Sequence, residues 1–377
     1  MREMRRRKIV CVVGTRPEAI KMAPLVRLLR EDGRFSVTLL ASGQHAEMLD
    51  QALAHFGLVA NVNLNVMRDR QSLDHVTASV LTGAGKFLDE NPQDMILIHG
   101  DTTTALAASL AGFYRRIPVG HVEAGLRSHD MSLPFPEEAN RVLADRLSSL
   151  YFAPTEGDAE NLRREGAAEE RIHVTGNTVI DALFWTLKNI GDRRGLESDI
   201  PEGVPLILMT AHRRESWGEP LARVCRAVTG LLRERPEVRI LIPLHRNPAV
   251  REAIRRDLGP FPQVSLTEPL GYPDFVAAMN RSLFILSDSG GIQEEASALR
   301  KPVLILRTLS ERPEAVTLGT GVLVGTDPDK ILGEARRLLD DAAYRESFSN
   351  RGTPFGDGRA CERIAGIIGR YLEGAAG

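Results

Sequence analysis

Cysteine is scarce in this 377-residue chain: Cys11, Cys225 and Cys361 are the whole supply, far apart and without CxxC spacing. That argues against a disulfide framework and against a zinc site. Charge of one sign is lacking too. Lys and Arg number 48 against 50 Asp and Glu, a formal charge of −2, which makes no electrostatic case for nucleic acid or an anionic membrane as partner. No run approaches the roughly 20 apolar residues of a spanning helix. The opening MREMRRRKIV is basic but runs into a short strand and then GTRPE, without the longer apolar region and small-residue cleavage site of a signal peptide. A cytoplasmic location is therefore expected. Walker and GxGxxG loops are also missing, so nothing points to ATP or a nicotinamide, and no metal or cofactor is expected.

What is present is an alternation of apolar runs with amphipathic ones. The first half has Ile9–Val13, Val37–Leu40, Met95–Ile98, Val119–Val122 and Leu150–Phe152; the second has Leu206–Met209, Arg239–Ile242, Leu283–Leu286, Val303–Leu306 and Val322–Val324. This pattern predicts an α/β protein with parallel sheets covered on both faces, and the length predicts two domains. The expected division is 1–185 for a first doubly wound domain, 204–357 for a second, and a C-terminal helix at about 358–377 returning to the first. Two such domains facing each other would leave one central cleft.

Three acids sit where a strand or loop should open toward a cleft: Asp101 in HGDTTT and Glu123 in HVEAGLR, which follow apolar strand-like runs, and Glu137 in PFPEEANR. In open α/β sheets that cleft lies past the carboxyl ends of the strands. Any one of these acids would pass for a helix cap or a solvated loop residue. Three together, near His99, His121 and Arg127, suggest acid and base roles separated by mutual repulsion.

Anion-binding positions follow other strands. Thr15 and Glu18 fit a capping box and Pro17 suits a first helical turn, which leaves Arg16 as a cation at the positive end of a helix. In the second half Ser289, Gly290 and Gly291 lead from a strand into a helix whose exposed N–H groups suit phosphate. Glu294 and Glu295, further into that helix, suit a ribose diol. His212, Arg213 and Arg312 add polar and cationic groups after strands.

The motifs GTRPEAIKMAP, HGDTTT, IPVGHVEAGLR, PFPEEANR, VTGNTVIDAL, AHRRES, DSGGIQEEA, ERPEAV and FGDG, in this order, resemble those of the non-hydrolysing UDP-N-acetylglucosamine 2-epimerases. The resemblance implies a glycosyltransferase-B fold of two Rossmann-like domains, a homodimer, a UDP-sugar substrate and no added cofactor. It implies that UDP-GlcNAc and UDP-ManNAc are interconverted. Asp101, Glu123, Glu137 and His212 match the family's catalytic positions, and Arg16, Arg213, Ser289, Gly290, Gly291, Glu295 and Arg312 its UDP-binding ones. A second UDP-GlcNAc site that activates bacterial members falls on Gln44, Glu47, Arg70, Arg213 and His245, with Glu47 where relatives have Gln. A hydrolysing 2-epimerase, an epimerase of a modified UDP-sugar and a glycosyltransferase of the same fold are the competing enzymes; a nucleotide-sugar sensor would not need the acids.

Overall fold

The computed structural model describes residues 5–43, 46–68, 71–190, 200–201, 203–211, 213, 217–310 and 312–374, with backbone alone at 46 and 47. Contacts divide the chain into two units, Met1–Trp185 with Gly356–Gly377, and Thr186–Phe355. The first unit runs β1 (Arg7–Val13), α1 (Arg16–Glu31), β2 (Phe35–Ala41), α2 (Ala46–His55), β3 (Val62–Asn63), α3 (Leu73–Glu90), β4 (Met95–His99), α4 (Thr103–Tyr114), β5 (Val119–Val122), α5 (Glu137–Leu147), β6 (Leu150–Ala153), α6 (Glu156–Arg164), β7 (Ile172–Val174) and most of α7 (Thr178–Ile190), within which the division at Thr186 falls. The second runs β8 (Leu206–Thr210), α8 (Glu219–Glu234), β9 (Arg239–Pro243), α9 (Pro248–Asp257), β10 (Val264–Thr267), α10 (Tyr272–Arg281), β11 (Phe284–Ser287), α11 (Gly290–Ala298), β12 (Val303–Ile305), α12 (Pro313–Thr317), β13 (Gly321–Leu323), α13 (Pro328–Asp340) and α14 (Ala342–Ser347). The last helix, α15 (Ala360–Gly374), belongs to the first unit.

Both sheets are parallel. Their orders are β3-β2-β1-β4-β5-β6-β7 and β10-β9-β8-β11-β12-β13. The central strands are buried along their length, β4 and β8 at every residue, as strands covered on both faces must be. In each sheet the order reverses beside the first strand, between β1 and β4 and between β8 and β11. Chain leaving the two neighbours departs to opposite faces, and the ends of those strands open a crevice for ligand.

Local chemistry fixes the loops there. α1 starts from a capping box of Thr15 and Glu18, with Pro in its first turn. Gly14 must lack a side chain, since a Cβ would lie 2.4 Å from Thr104 Oγ1 and 2.8 Å from Ser42 Oγ. α4 is capped by Thr102, whose hydroxyl accepts from Ala105 N. Its small residues let it lie close on the sheet: a Cβ at Gly112 would fall 2.5 Å from Ile96 Cδ1. α15 is anchored by Asp181 of α7, whose carboxylate accepts from Ala360 N at 3.1 Å and Cys361 N at 2.9 Å, satisfying N–H groups a helix start leaves open. Among the described residues no helix is long and apolar enough to cross a membrane.

Candidate active site

The first unit gathers its acids on loops after β4 and β5 and on the start of α5. Asp101 follows β4; its carboxylate pairs with Arg141 of α5 and its carbonyl accepts from Asn140 Nδ2 at 2.9 Å. Glu137 is the first residue of the same helix. Residues 137, 140 and 141 are three and four apart, so one helical face carries all of them. Through Asn140 and Arg141 that face binds the Asp101 turn.

Glu123 follows β5 in a left-handed backbone conformation, φ +66°. For a residue other than glycine this costs on the order of 1–3 kcal/mol and survives where surrounding contacts over-determine it. Those contacts converge on one oxygen. Glu123 Oε2 pairs with Lys21 of α1, accepts from Asn177 Nδ2 at 3.0 Å and lies 3.5 Å from His99 Nε2. The side chain is only 9% exposed. His99 Nε2 is buried and makes no hydrogen bond among the described residues.

Of the consecutive glutamates in PFPEE, one is structural. Glu138 is buried, accepts from the N–H groups of Ser128 and His129 at 3.0 Å each, and pairs with Arg141 at 3.2 Å. Glu137 is partly exposed and has no side-chain partner among the described residues. Arg127 is structural as well: it binds Asp145 and Glu165, each at 2.7 Å.

Glu18 joins the loops on either side of the strand-order reversal. One carboxylate oxygen accepts from Gly14 N at 3.0 Å, Thr15 N at 2.7 Å and Thr15 Oγ1 at 2.8 Å, and the other from Thr102 Oγ1 at 2.7 Å. Burial pushes its carboxyl above the ordinary range, against the opposing pull of the Thr102, Thr15 and Gly14 bonds. Arg16 is thereby held at the first position of α1, immediately after the cap.

In the second unit, Ser289 precedes α11 with extended backbone, and its side chain makes no capping bond. Its N–H donates to Ser287 Oγ at 3.0 Å, and that hydroxyl lies 2.8 Å from Thr210 Oγ1 at the end of β8. A Cβ on Gly291 would meet nothing within 4 Å, so the helix start is open to a close backbone approach. The acids around it turn inward. Asp288 is fully buried and accepts from Arg213 N at 3.0 Å, which ties the loop after β8 to the loop after β11. Glu294 pairs with Arg312, and Glu295 accepts from Tyr272 Oη at 2.8 Å. His245 follows β9, exposed, with Nδ1 accepting from Asn247 N at 3.2 Å.

His212, Gln44 and Arg70 lie outside the described residues, as does the side chain of Glu47. The structure adds four residues that the sequence reading had not singled out. Lys21, Asn177 and Arg141 fix the acids, and Tyr272 fixes Glu295. Lys21 left a trace, a lone cation in the apolar stretch AIKMAP. The other three depend on pairings distant in sequence.

Residues 27–369 match the family model described as UDP-N-acetylglucosamine 2-epimerase. The chain is 47% identical over 371 residues to the UDP-N-acetylglucosamine 2-epimerase of Salmonella typhimurium, covering 97% of this chain and 99% of that one. It is similar to the crystal structure of UDP-GlcNAc 2-epimerase from Neisseria meningitidis bound to UDP-GlcNAc, with TM-score 0.90, 43% identity, and coverage of 96% of this chain and 100% of that chain. The glycotransferase of kitacinnamycin, 14% identical with TM-score 0.67 over 98% of this chain and 100% of that chain, is a likeness of fold alone. With the two parallel sheets, these likenesses place the chain in the glycosyltransferase-B class of folds.

Proposed function

Since the chain belongs to the UDP-N-acetylglucosamine 2-epimerase family, we propose that it inverts C2 of UDP-GlcNAc reversibly to give UDP-ManNAc, with the sugar remaining attached to UDP in the product. The observation that carries this reading is Glu123: a largely buried carboxylate on strained backbone, steadied by Lys21 and Asn177. Strain maintained by dedicated contacts is expected where a side chain must be aimed.

The chemistry needs such groups. C2 of the sugar is not next to a carbonyl, so its proton is too weakly acidic for a lone carboxylate. If the C1–O bond to UDP breaks, positive charge at C1 acidifies the C2–H. One carboxylate takes the proton, the C–H pair becomes the C1–C2 double bond, and the products are 2-acetamidoglucal and UDP. The return step delivers a proton to the opposite face of C2 while a UDP oxygen attacks C1. Atoms and electrons balance without an oxidant. Two opposed proton-transfer groups are wanted, and a third acid can steady the cationic transition state. Asp101, Glu123 and Glu137 fill these roles in our reading; each such group contributes about 10²–10⁴-fold. Cations stabilise the departing diphosphate; the proposal gives that part to Arg16, His212, Arg213 and Arg312. The start of α11, with Ser289, Gly290, Gly291 and Glu295, would hold the nucleotide.

The test is turnover of UDP-GlcNAc in heavy water. Deuterium at C2 of UDP-ManNAc is expected, and leakage of 2-acetamidoglucal from a slowed variant would support elimination. Release of free ManNAc would instead indicate hydrolysis. Absence of exchange would overturn the proposal.

A further inference from the structure

One buried titratable group, His121 on β5, takes no part in the chemistry above, yet it touches the backbone that carries Asp101. The ring is 0% exposed. Its Nε2 lies 2.8 Å from the Gly100 carbonyl oxygen and its Nδ1 2.6 Å from Asp145 Oδ1. A carbonyl oxygen can only accept. The other oxygen of Asp145, Oδ2, accepts from Arg127 Nη2 at 2.7 Å and from Gly125 N at 3.3 Å, so the group is a carboxylate and also only accepts. An imidazole facing two acceptors can satisfy both only with a proton on each nitrogen.

The charges around the ring close on themselves. Arg127 donates from Nη2 to Asp145 Oδ2 at 2.7 Å, and from Nε and Nη2 to Glu165 at 2.7 and 2.8 Å. A doubly protonated His121 and Arg127 then face Asp145 and Glu165, two cations against two anions. Buried charge survives when paired and hydrogen-bonded in this way. The register partners of His121 are Ile98 on β4 and Tyr151 on β6. Burial raises the Tyr151 phenol, with Asp145 adding to it, so that side chain stays neutral and brings no competing charge.

We infer that His121 is a positioning residue: an imidazolium, oriented by Asp145, whose Nε2–H holds the Gly100 carbonyl and so fixes the peptide that leads into Asp101. Gly100 has φ +63°, and its carbonyl shares a peptide plane with the Asp101 N–H. Releasing that carbonyl frees the plane to rotate, which swings the acid away from the sugar without altering the nucleotide-binding loops of the second unit. This role rests on Asp101 being a reacting group, as proposed above.

Neutron diffraction from wild-type crystals grown in heavy water at neutral pH reads the ring directly. Deuterium on both Nδ1 and Nε2 is expected; deuterium on one nitrogen alone overturns the inference. In solution, His121→Gln offers one amide donor group to two acceptors. Its kcat should fall at least about tenfold, with KM for UDP-GlcNAc and Kd for UDP within about twofold, the pattern of an interaction needed in the transition state and not for binding. A folded His121→Gln with wild-type kcat, or one that loses UDP affinity in step with kcat, also overturns it. If that variant does not fold, the neutron result decides. Normal turnover by Asp101→Asn would remove the underlying reading while leaving the ring protons as found.

Discussion

The two units wind their sheets in one order and open loops at equivalent strand ends, yet fill those loops with opposite chemistry. After β4 and β5 the first unit presents carboxylate side chains, Asp101 and Glu123, each met by a cation from another element. After β11 the second unit presents backbone: a Ser-Gly-Gly helix start, with Asp288, Glu294 and Glu295 bound to Arg213 N, Arg312 and Tyr272. Side chains that titrate can move protons, whereas oriented N–H groups can only attract an anion. In the reading proposed above, one topology serves as an acid–base centre in the first unit and as an anion cradle in the second, according to what the loop exposes, which is why fold alone does not give function.

The comparison is broken most sharply at the acids. Asp101→Asn, Glu123→Gln and Glu137→Gln keep shape and remove proton transfer, so turnover should fall by at least about 10²-fold in each. Affinity for UDP, measured by titration calorimetry, should stay near the wild-type value. An amide variant with near-normal kcat would take its residue out of the catalytic set. Loss of UDP binding in all three would mean that the first unit is a binding surface as well.

Changes in the second unit should do the reverse. Gly291→Ala has room in the protein, since its Cβ meets nothing within 4 Å. Thermal stability should hardly change, and any loss reports on a ligand at the backbone. Affinity for UDP should fall about tenfold, equivalent to about 1.4 kcal/mol, with kcat at saturation little altered. Unchanged affinity would place the nucleotide elsewhere. Glu295→Gln should narrow the preference for UDP over its 2′-deoxy analogue.

The same contrast explains what the sequence disclosed. Central strands read directly, because burial on both faces leaves continuous apolar runs such as Ile9–Val13 and Met95–Ile98. The short edge strands Val62–Asn63, Ile172–Val174 and Val264–Thr267 did not, being half exposed and without such a run. Asp101 and Glu123 were legible as acids beyond strand ends, and Glu137 as an acid of the motif PFPEEANR. Their partners were not: Lys21 and Asn177 reach Glu123 across 102 and 54 residues, and periodicity carries no long-range information. The difference between Glu137, partly exposed, and Glu138, buried and bound by Ser128, His129 and Arg141, also needed the structure, since the two are adjacent in sequence.

A smaller effect is expected on regulation. The family resemblance assigns an activating UDP-GlcNAc site to Gln44, Glu47, Arg70, Arg213 and His245, and we propose that this chain retains it in weakened form. A negative Glu47 near an anionic ligand costs affinity. Glu47→Gln should lower the UDP-GlcNAc concentration that activates turnover of UDP-ManNAc by a few-fold, about 1 kcal/mol or less. Hyperbolic kinetics from UDP-ManNAc, with no lag and no response to added UDP-GlcNAc, would remove the second site.

The least conspicuous change tests how each unit joins its loops. The first uses Glu18 between the β1 and β4 loops, the second Asp288 between the β8 and β11 loops. Because burial raises the Glu18 carboxyl above its ordinary value of 4.5, the native state binds that proton more tightly than the unfolded chain does. The resulting stabilisation is fully present below the ordinary value and is lost as pH rises through the raised one. Glutamine can keep the geometry: its amide oxygen can accept from Gly14 N, Thr15 N and Thr15 Oγ1, and its amide nitrogen can donate to Thr102 Oγ1. Glu18→Gln should therefore unfold within about 1 kcal/mol of wild type at neutral pH. It should also lack the component of stability that falls as pH rises from the ordinary glutamate range. Denaturant unfolding across that range would show it. Parallel curves for the two proteins would mean that Glu18 binds its proton equally in both states and that the loops are joined by shape alone; a curve flattened only in the variant assigns the slope to this one carboxyl.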